Sequence, residues 1–189
     1  MDELTRLALA AGRGDSAALD ALVQGTYPQV WRFCAGLVDR QSADDLAQET
    51  FIRAFRTLSR FGGDASALTW LLAVARHTCL DELRARDRRR RRDASLRDVH
   101  RSPAVVADAA GEIAVADLME HLDPERRAAF VLTQWLGLSY LDAASVCGCP
   151  VGTIRSRVAR ARAELIELMA PSAQEGDRHP DGARRRPTA

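Results

Sequence analysis

The stretch "CGCPVGTIRSRVARAR", Cys147 to Arg162, places two cysteines one residue apart, then a proline, a glycine and four arginines. It reads either as a metal or redox site with a basic tail, or as the turn and second helix of a helix-turn-helix. Spacing favours the second reading. Ala144, Cys147, Gly148, Cys149, Thr153 and Ile154 fall where a helix-turn-helix needs them. Ala144 is the small residue at the helix crossing, and Gly148 lets the chain turn without strain. Residues beside that glycine point inward, and a buried thiol packs as a small hydrophobe. Zinc needs four ligands, usually in two pairs. Cys34 and Cys79 are far away in the chain, and His121 has no paired ligand, so neither metal nor cofactor is expected.

A helical wheel at about 100° per residue divides the segment after the turn. Ile154, Val158, Ala161, Leu165 and Leu168 share the side that must face a core. Thr153, Ser156, Ala159 and Arg160 lie opposite, with Arg155 beside them, and Arg157 and Arg162 lie on the flanks. A major-groove reader needs this division: polar groups and arginine forks toward base edges, flanking arginines toward phosphates, and a small residue for close approach.

The rest of the chain supports an all-α protein of two modules. Its 189 residues are 47% apolar, with 27 basic and 26 acidic side chains, so a uniformly basic nucleic-acid binder is excluded. Charge is uneven: residues 1–92 carry +3 and residues 112–170 carry −2. Local basic strips on a balanced surface remain open. No leader-like or membrane-length apolar run is seen, which predicts a cytoplasmic protein without structural disulfides.

Helical patterns run over Glu3–Gly12, Ser16–Gly25 and Pro28–Val38, with Pro28 in a first turn. "SADD" from Ser42 reads as a capping box, opening a helix to about Leu58. A glycine-bearing break, "SRFGGDAS", precedes a long helix from about Ala67. That helix ends with seven arginines between Arg84 and Arg92. The run Arg88–Arg92 either continues the helix or begins a disordered linker. Residues 93–111 read as that linker. A second module spans 112–170, with Asp123–Pro124 and "SYLD" from Ser139 as helix starts. Residues 171–189 read as a disordered tail.

Three segments in this order carry a family resemblance: "SADDLAQETFIRAFR" (Ser42–Arg56), "TWLLAVARHTCLDELR" (Thr69–Arg84) and "LTQWLGLSYLDAASVCGCPVGTIRSRVARAR" (Leu132–Arg162). The chain resembles bacterial group 4, or extracytoplasmic function (ECF), RNA polymerase sigma factors, nearest the actinobacterial sigma-C type. The resemblance implies that residues 1–92 are sigma region 2 and residues 112–170 are region 4.

It further implies that Asp44, Asp45, Gln48, Glu49, Phe51, Ile52, Arg53 and Arg56 dock on the clamp coiled coil of the polymerase largest subunit. The second module would meet the flap of the second subunit. Phe61, Arg76, His77, Asp81, Arg84 and Arg88 would melt and hold the −10 element. His77 and Asp81 stand where relatives often present Asn, so the −10 sequence is left open. Trp70 is expected in the core rather than on DNA. For the −35 element, Arg155, Ser156, Ala159 and Arg160 match base-facing positions, while Thr153, Arg157 and Arg162 match phosphate contacts. An anti-sigma partner follows from the family alone. The free chain is expected to be monomeric and not an enzyme. The rivals are a stand-alone regulator, which would need to dimerise to read two half-sites, and a thiol redox sensor or enzyme using Cys147 and Cys149.

Overall fold

The computed structural model describes residues 1–96 and 118–169. Most of the expected linker and the whole expected tail lie outside them. The described residues are helical, without strands. The first module has α1 (Glu3–Gly12), α2 (Ser16–Leu37), α3 (Ala43–Phe55), a 3₁₀ turn (Leu58–Arg60) and α4 (Ala67–Leu96). The second has a short turn at 118–120, α5 (Pro124–Phe130) continuing as a π turn (Val131–Trp135), α6 (Tyr140–Cys147) and α7 (Val151–Met169).

Short acids and hydroxyls start several of these helices by satisfying orphan N–H groups. Asp2 accepts from the Thr5 N–H at 2.9 Å, and Asp15 from the Ala18 N–H at 3.0 Å. Asp123 accepts from the Glu125 N–H at 3.0 Å. Ser139 accepts from the Asp142 N–H at 3.1 Å, while Asp142 answers to the Ser139 hydroxyl at 2.6 Å.

Three expectations change. Ser16 to Leu37 is one helix of 22 residues, with Pro28 inside it rather than starting a second. An interior proline costs about 3 kcal/mol locally. Leu22 and Val30, both fully buried on either side of it, supply the packing that holds the helix straight through. Ser42 does not cap α3, because its backbone is already helical (φ −93°, ψ −4°) and its hydroxyl is turned from the first N–H groups. Its own N–H donates to Asp39 at 2.8 Å, and Arg86 donates to its hydroxyl at 2.6 Å. Third, α3 ends at Phe55 rather than near Leu58, which opens the 3₁₀ turn. Between the two readings of Arg88–Arg92, α4 selects the helical one by continuing to Leu96.

Phe33, Leu22, Leu37 and Leu71 fill the first core, with Cys34 and Cys79 fully buried between α2 and α4. A hydrogen bond between the two thiols, together with burial, holds the Cys79 thiol well above its usual range. Met119, Leu122, Leu132 and Ile154 are buried in the second module, and the buried residues of both modules join in one cluster.

The two modules touch. Gly36 is the penultimate residue of α2. A Cβ there would lie 2.8 Å from the ring of Trp135, so the missing side chain is the space the indole occupies. Arg127 donates to the Leu37 carbonyl at 3.0 Å, at the C-terminus of α2 where a cation suits the helix dipole. Arg32 donates to the Trp135 carbonyl at 3.0 Å.

Candidate nucleic-acid interface

The turn before α7 explains how its helix is aimed. Gly148 sits at φ 63°, ψ 37°, the left-handed cap a glycine adopts without penalty. Its N–H and that of Cys149 close onto the end of α6, through Ser145 and Ala144. Cys147 is buried and Cys149 half-buried. Burial is the main reason the Cys147 thiol is pushed up to about 11. It is therefore protonated, and inert as a nucleophile, at neutral pH.

On α7, Ile154, Val158, Ala161 and Leu165 are buried, against α5 and α6. Leu168, expected on the same side, is 42% exposed, because the helix has by then run past the elements that cover it. Arg155, Ser156, Ala159 and Arg160 are exposed together on the other side. Among the described residues neither Arg155 nor Arg160 has an ion-pair partner, which leaves both forks free. The flanking arginines are engaged: Arg162 donates to Gln134 at 2.5 Å, and Arg157 pairs with Glu125 at 3.0 Å and meets the Cys149 sulfur at 3.6 Å. Thr153 is half-buried at the helix start.

On α4 a wheel separates five of the six candidate residues of the first module, Phe61 standing before the helix. His77, Asp81, Arg84 and Arg88 are exposed along one stripe. Trp70, half-buried, heads that stripe and stacks at a tilt on Phe61, with ring centroids 5.0 Å apart. Phe61 thus sits at the top of the stripe, next to the glycine-bearing loop. Asp81 is occupied by Arg53 at 2.9 Å and Arg84 at 3.5 Å. The hydrogen bond from Arg53 is the main cause of its lowered carboxyl pKa. Arg76 lies elsewhere. It is on the face of α4 turned to the second module, only 8% exposed, and donates to both oxygens of Glu125.

The third surface is on α3. Asp44, Asp45, Gln48, Ile52 and Arg56 are exposed along one side, with Glu49 and Arg53 at its edge. The first-turn acids suit the helix dipole. Ile52, 48% exposed, is the apolar group this face offers. Phe51 is packed inward, stacked on Tyr27 with centroids 6.0 Å apart. Arg53 bonds Glu49 at 2.8 Å as well as Asp81, joining the α3 face to the α4 stripe.

Comparison with known proteins decides what such a molecule is. The Sigma-70 region 2 family matches residues 22–89, and Sigma-70, region 4 matches residues 112–165. The chain is 47% identical over 175 residues to the ECF RNA polymerase sigma factor SigC of Mycobacterium tuberculosis, covering 90% of this chain and 93% of that protein. The chain belongs to the ECF sigma factors of the sigma-70 family. The RNA polymerase sigma-H factor of Pseudomonas aeruginosa is 35% identical, over 86% of this chain and 92% of its own length. Among solved structures, CnrH in complex with the cytosolic domain of CnrY superposes with a TM-score of 0.69 at 27% identity, covering 89% of this chain and 97% of that one. The sigma factor RpoE in complex with the anti-sigma factor NepR from Bartonella quintana gives 0.66 at 28% identity, covering 80% and 96%.

As a member of this family, the sigma factor directs promoter-specific transcription initiation with RNA polymerase. No helix among its described residues is long and apolar enough to cross a membrane. Two site-bordering residues escaped the sequence reading: Glu125, which meets Arg76 and Arg157, and Gln134, which meets Arg162. Glu125 stands 49 residues from Arg76, and as a first-turn acid it looks like any dipole-matched carboxylate. No local pattern marks such a partner.

Proposed function

We propose that this sigma factor reads the −35 element as duplex with α7 and holds the melted −10 strand on α4, while both modules are carried by core RNA polymerase. The division follows residues 1–92 as region 2, 93–111 as linker, 112–170 as region 4 and 171–189 as tail. Arg155, Ser156, Ala159 and Arg160 meet base edges in the major groove. Thr153, Arg157 and Arg162 meet phosphates on either side. Phe61 and the loop behind it receive an extruded −10 base, with His77 and Asp81 along its path. Arg84 and Arg88 track the backbone. Extruding a base costs a few kcal/mol, which stacking and phosphate contacts offset.

The α3 face docks on the clamp coiled coil of the polymerase largest subunit. Asp44, Asp45 and Glu49 meet basic residues there, and Ile52 is the apolar anchor. Gln48, Arg53 and Arg56 complete the contact. Phe51 acts from beneath by seating α3 on Tyr27. The second module meets the flap of the second subunit. The protein acts in the cytoplasm, as a monomer when free, and carries no covalent chemistry itself. An anti-sigma partner is part of the proposal. RpoE, a neighbour in fold, is held by NepR in its solved complex.

The observation that carries the reading is the two-sidedness of α7. Ile154 and Val158 are buried while Arg155, Ser156, Ala159 and Arg160 stand free on the far side. The test is run-off transcription with purified core polymerase on promoter templates from the source genome. Initiation at a defined start only when the protein is added, by a monomer, supports the proposal. Binding to DNA as a dimer without polymerase, and no initiation, would refute it in favour of a stand-alone regulator.

A further inference from the structure

The segment from Leu58 to Ala67 carries Phe61 and leads into the α4 stripe. It lies along α1, which holds it at three points. At the C-terminal end of α1, a Cβ on Gly12 would stand 2.8 Å from the Leu58 carbonyl oxygen, so the bare backbone there lets the helix abut the 3₁₀ turn. Midway, Gly63 turns at φ 80°, and a Cβ placed on it would meet the Leu9 side chain at 3.5 Å and that of Thr5 at 3.7 Å. Near the N-terminal end, the Thr5 hydroxyl accepts from the Ala67 N–H at 3.0 Å. Ala67 opens α4, so this N–H is one of those a helix start leaves without an internal partner. Another, that of Thr69, donates to the Ser66 hydroxyl at 3.1 Å.

Thr5 is buried, and its hydroxyl is used in both directions. It donates to Asp2 Oδ2 at 2.7 Å while accepting from Ala67. Asp2 Oδ1 takes the Thr5 N–H at 2.9 Å. The bonds from Thr5, side chain first and backbone second, hold the Asp2 carboxyl below its ordinary pKa, so it is charged and accepting at neutral pH. Other buried threonines of the first module do something simpler. Thr26, Thr50 and Thr78 donate to the carbonyl one turn back in their own helices, which satisfies the hydroxyl and joins no two elements. Thr5 joins residues 62 positions apart.

The short loop between Phe61 and Ser66 is thus closed between a 3₁₀ turn and a helix start that α1 holds in register. Phe61 lies at one end of it and Trp70, in the first turn of α4, at the other, with their rings in contact at 5.0 Å. A surface that receives an extruded base gains from being formed beforehand, because ordering it on binding would add to the cost of extrusion.

We propose that Thr5 is a positioning residue for capture of the −10 strand: by tying Asp2 to the first N–H of α4 it fixes the loop 61–66, and Phe61 with it, in the form that receives the extruded base. Thr5 is buried and acts only through Ala67 and the loop. The proposal rests on the reading of Phe61 and α4 as the −10 surface.

The test uses holoenzyme assembled from core polymerase and the full chain as wild type, Thr5→Val or Thr5→Ser. Valine keeps the branched shape and removes both hydroxyl bonds, leaving the buried Ala67 N–H without a partner. Serine keeps the hydroxyl and loses only a methyl. Far-UV circular dichroism checks that both keep their helices. The probe is a promoter duplex with 2-aminopurine in the non-template strand of the −10 element, whose fluorescence rises when the base leaves the stack. Thr5→Val should lower the extrusion equilibrium about tenfold, as for a buried donor that loses its partner, and Thr5→Ser should restore it to within about twofold. Binding of each holoenzyme to a duplex bearing the −35 element alone should not change, nor should competition for core polymerase. A general loosening of the chain would not spare these two. Hydrogen exchange in the free chain should quicken over residues 61–70 in Thr5→Val and not in α7. The role of Thr5 is overturned if Thr5→Val extrudes the base as wild type does, if it loses −35 and core binding in equal proportion, or if serine fails to rescue. A wild-type holoenzyme that initiates without any 2-aminopurine signal overturns the −10 reading itself, and the proposal with it, which separates the two failures.

Discussion

Replacing Ile154 by alanine is the most direct probe of how α7 is held. Its side chain is fully buried at the junction of α5, α6 and α7. The change removes three carbons, worth about 2.4 kcal/mol at about 0.8 kcal/mol per buried methylene. It also leaves a cavity that a close-packed junction fills only in part, which brings the loss to about 3–4 kcal/mol. A unit of this size has a total stability of roughly 3–8 kcal/mol. The variant should therefore lose half or more of the stability of the second module while the first stays folded on its Phe33, Leu22, Leu37 and Leu71 packing. Urea unfolding followed by tryptophan fluorescence, with hydrogen exchange resolving the two modules, measures it. Expected are an early transition confined to residues 118–169 and run-off transcription that falls as that module melts. A loss below about 1 kcal/mol would mean that Ile154 is not a core residue. The exposed face of α7 would then be wrongly identified, and with it the proposed reading surface.

Further tests probe charge and chemistry. Arg160→Ala should leave stability within about 0.5 kcal/mol, since the side chain is exposed and unpaired. It should cost about 1–3 kcal/mol in −35 recognition, read as a five- to 150-fold loss in transcription from −35-dependent promoters. Ile52→Asp should weaken core-polymerase binding, measured by competition with another sigma factor, without shifting the unfolding midpoint by more than a degree or two. Acid should destabilise the first module in a defined window. Asp39 is lowered because bonds from Arg86 and Ser42 outweigh the burial that alone would raise it, and Asp81 and Glu82 are lowered by bonds from Arg53 and Arg86. A depressed carboxylate stabilises the fold above its unfolded pKa and stops doing so as pH falls through its folded value. The melting temperature should thus be flat from pH 7 to 5 and fall below about pH 4. Cys147 should alkylate slowly at pH 8 in the native chain and fast once unfolded, as mass spectrometry of iodoacetamide adducts would show.

What could be read from the chain alone was what depends on neighbours a few residues apart. The period of Ile154, Val158, Ala161 and Leu165 set the inner side of α7, and Gly148 set the turn, because helix geometry and left-handed backbone are local matters. The exposed stripe of His77, Asp81, Arg84 and Arg88 has the same origin. Tertiary packing decided the rest. Pro28 looked like a helix start until burial on both sides of it outweighed its local cost. Ser42 looked like a cap until Asp39 and Arg86 claimed it. Arg76 was indistinguishable in sequence from the arginines that face outward. Its place was determined by Glu125, 49 residues away, and by a helix face whose cover belongs to the other module. Side-chain periodicity tells which residues a helix buries. It cannot tell what covers them, because that is settled by energies summed over elements that meet only when the chain has folded.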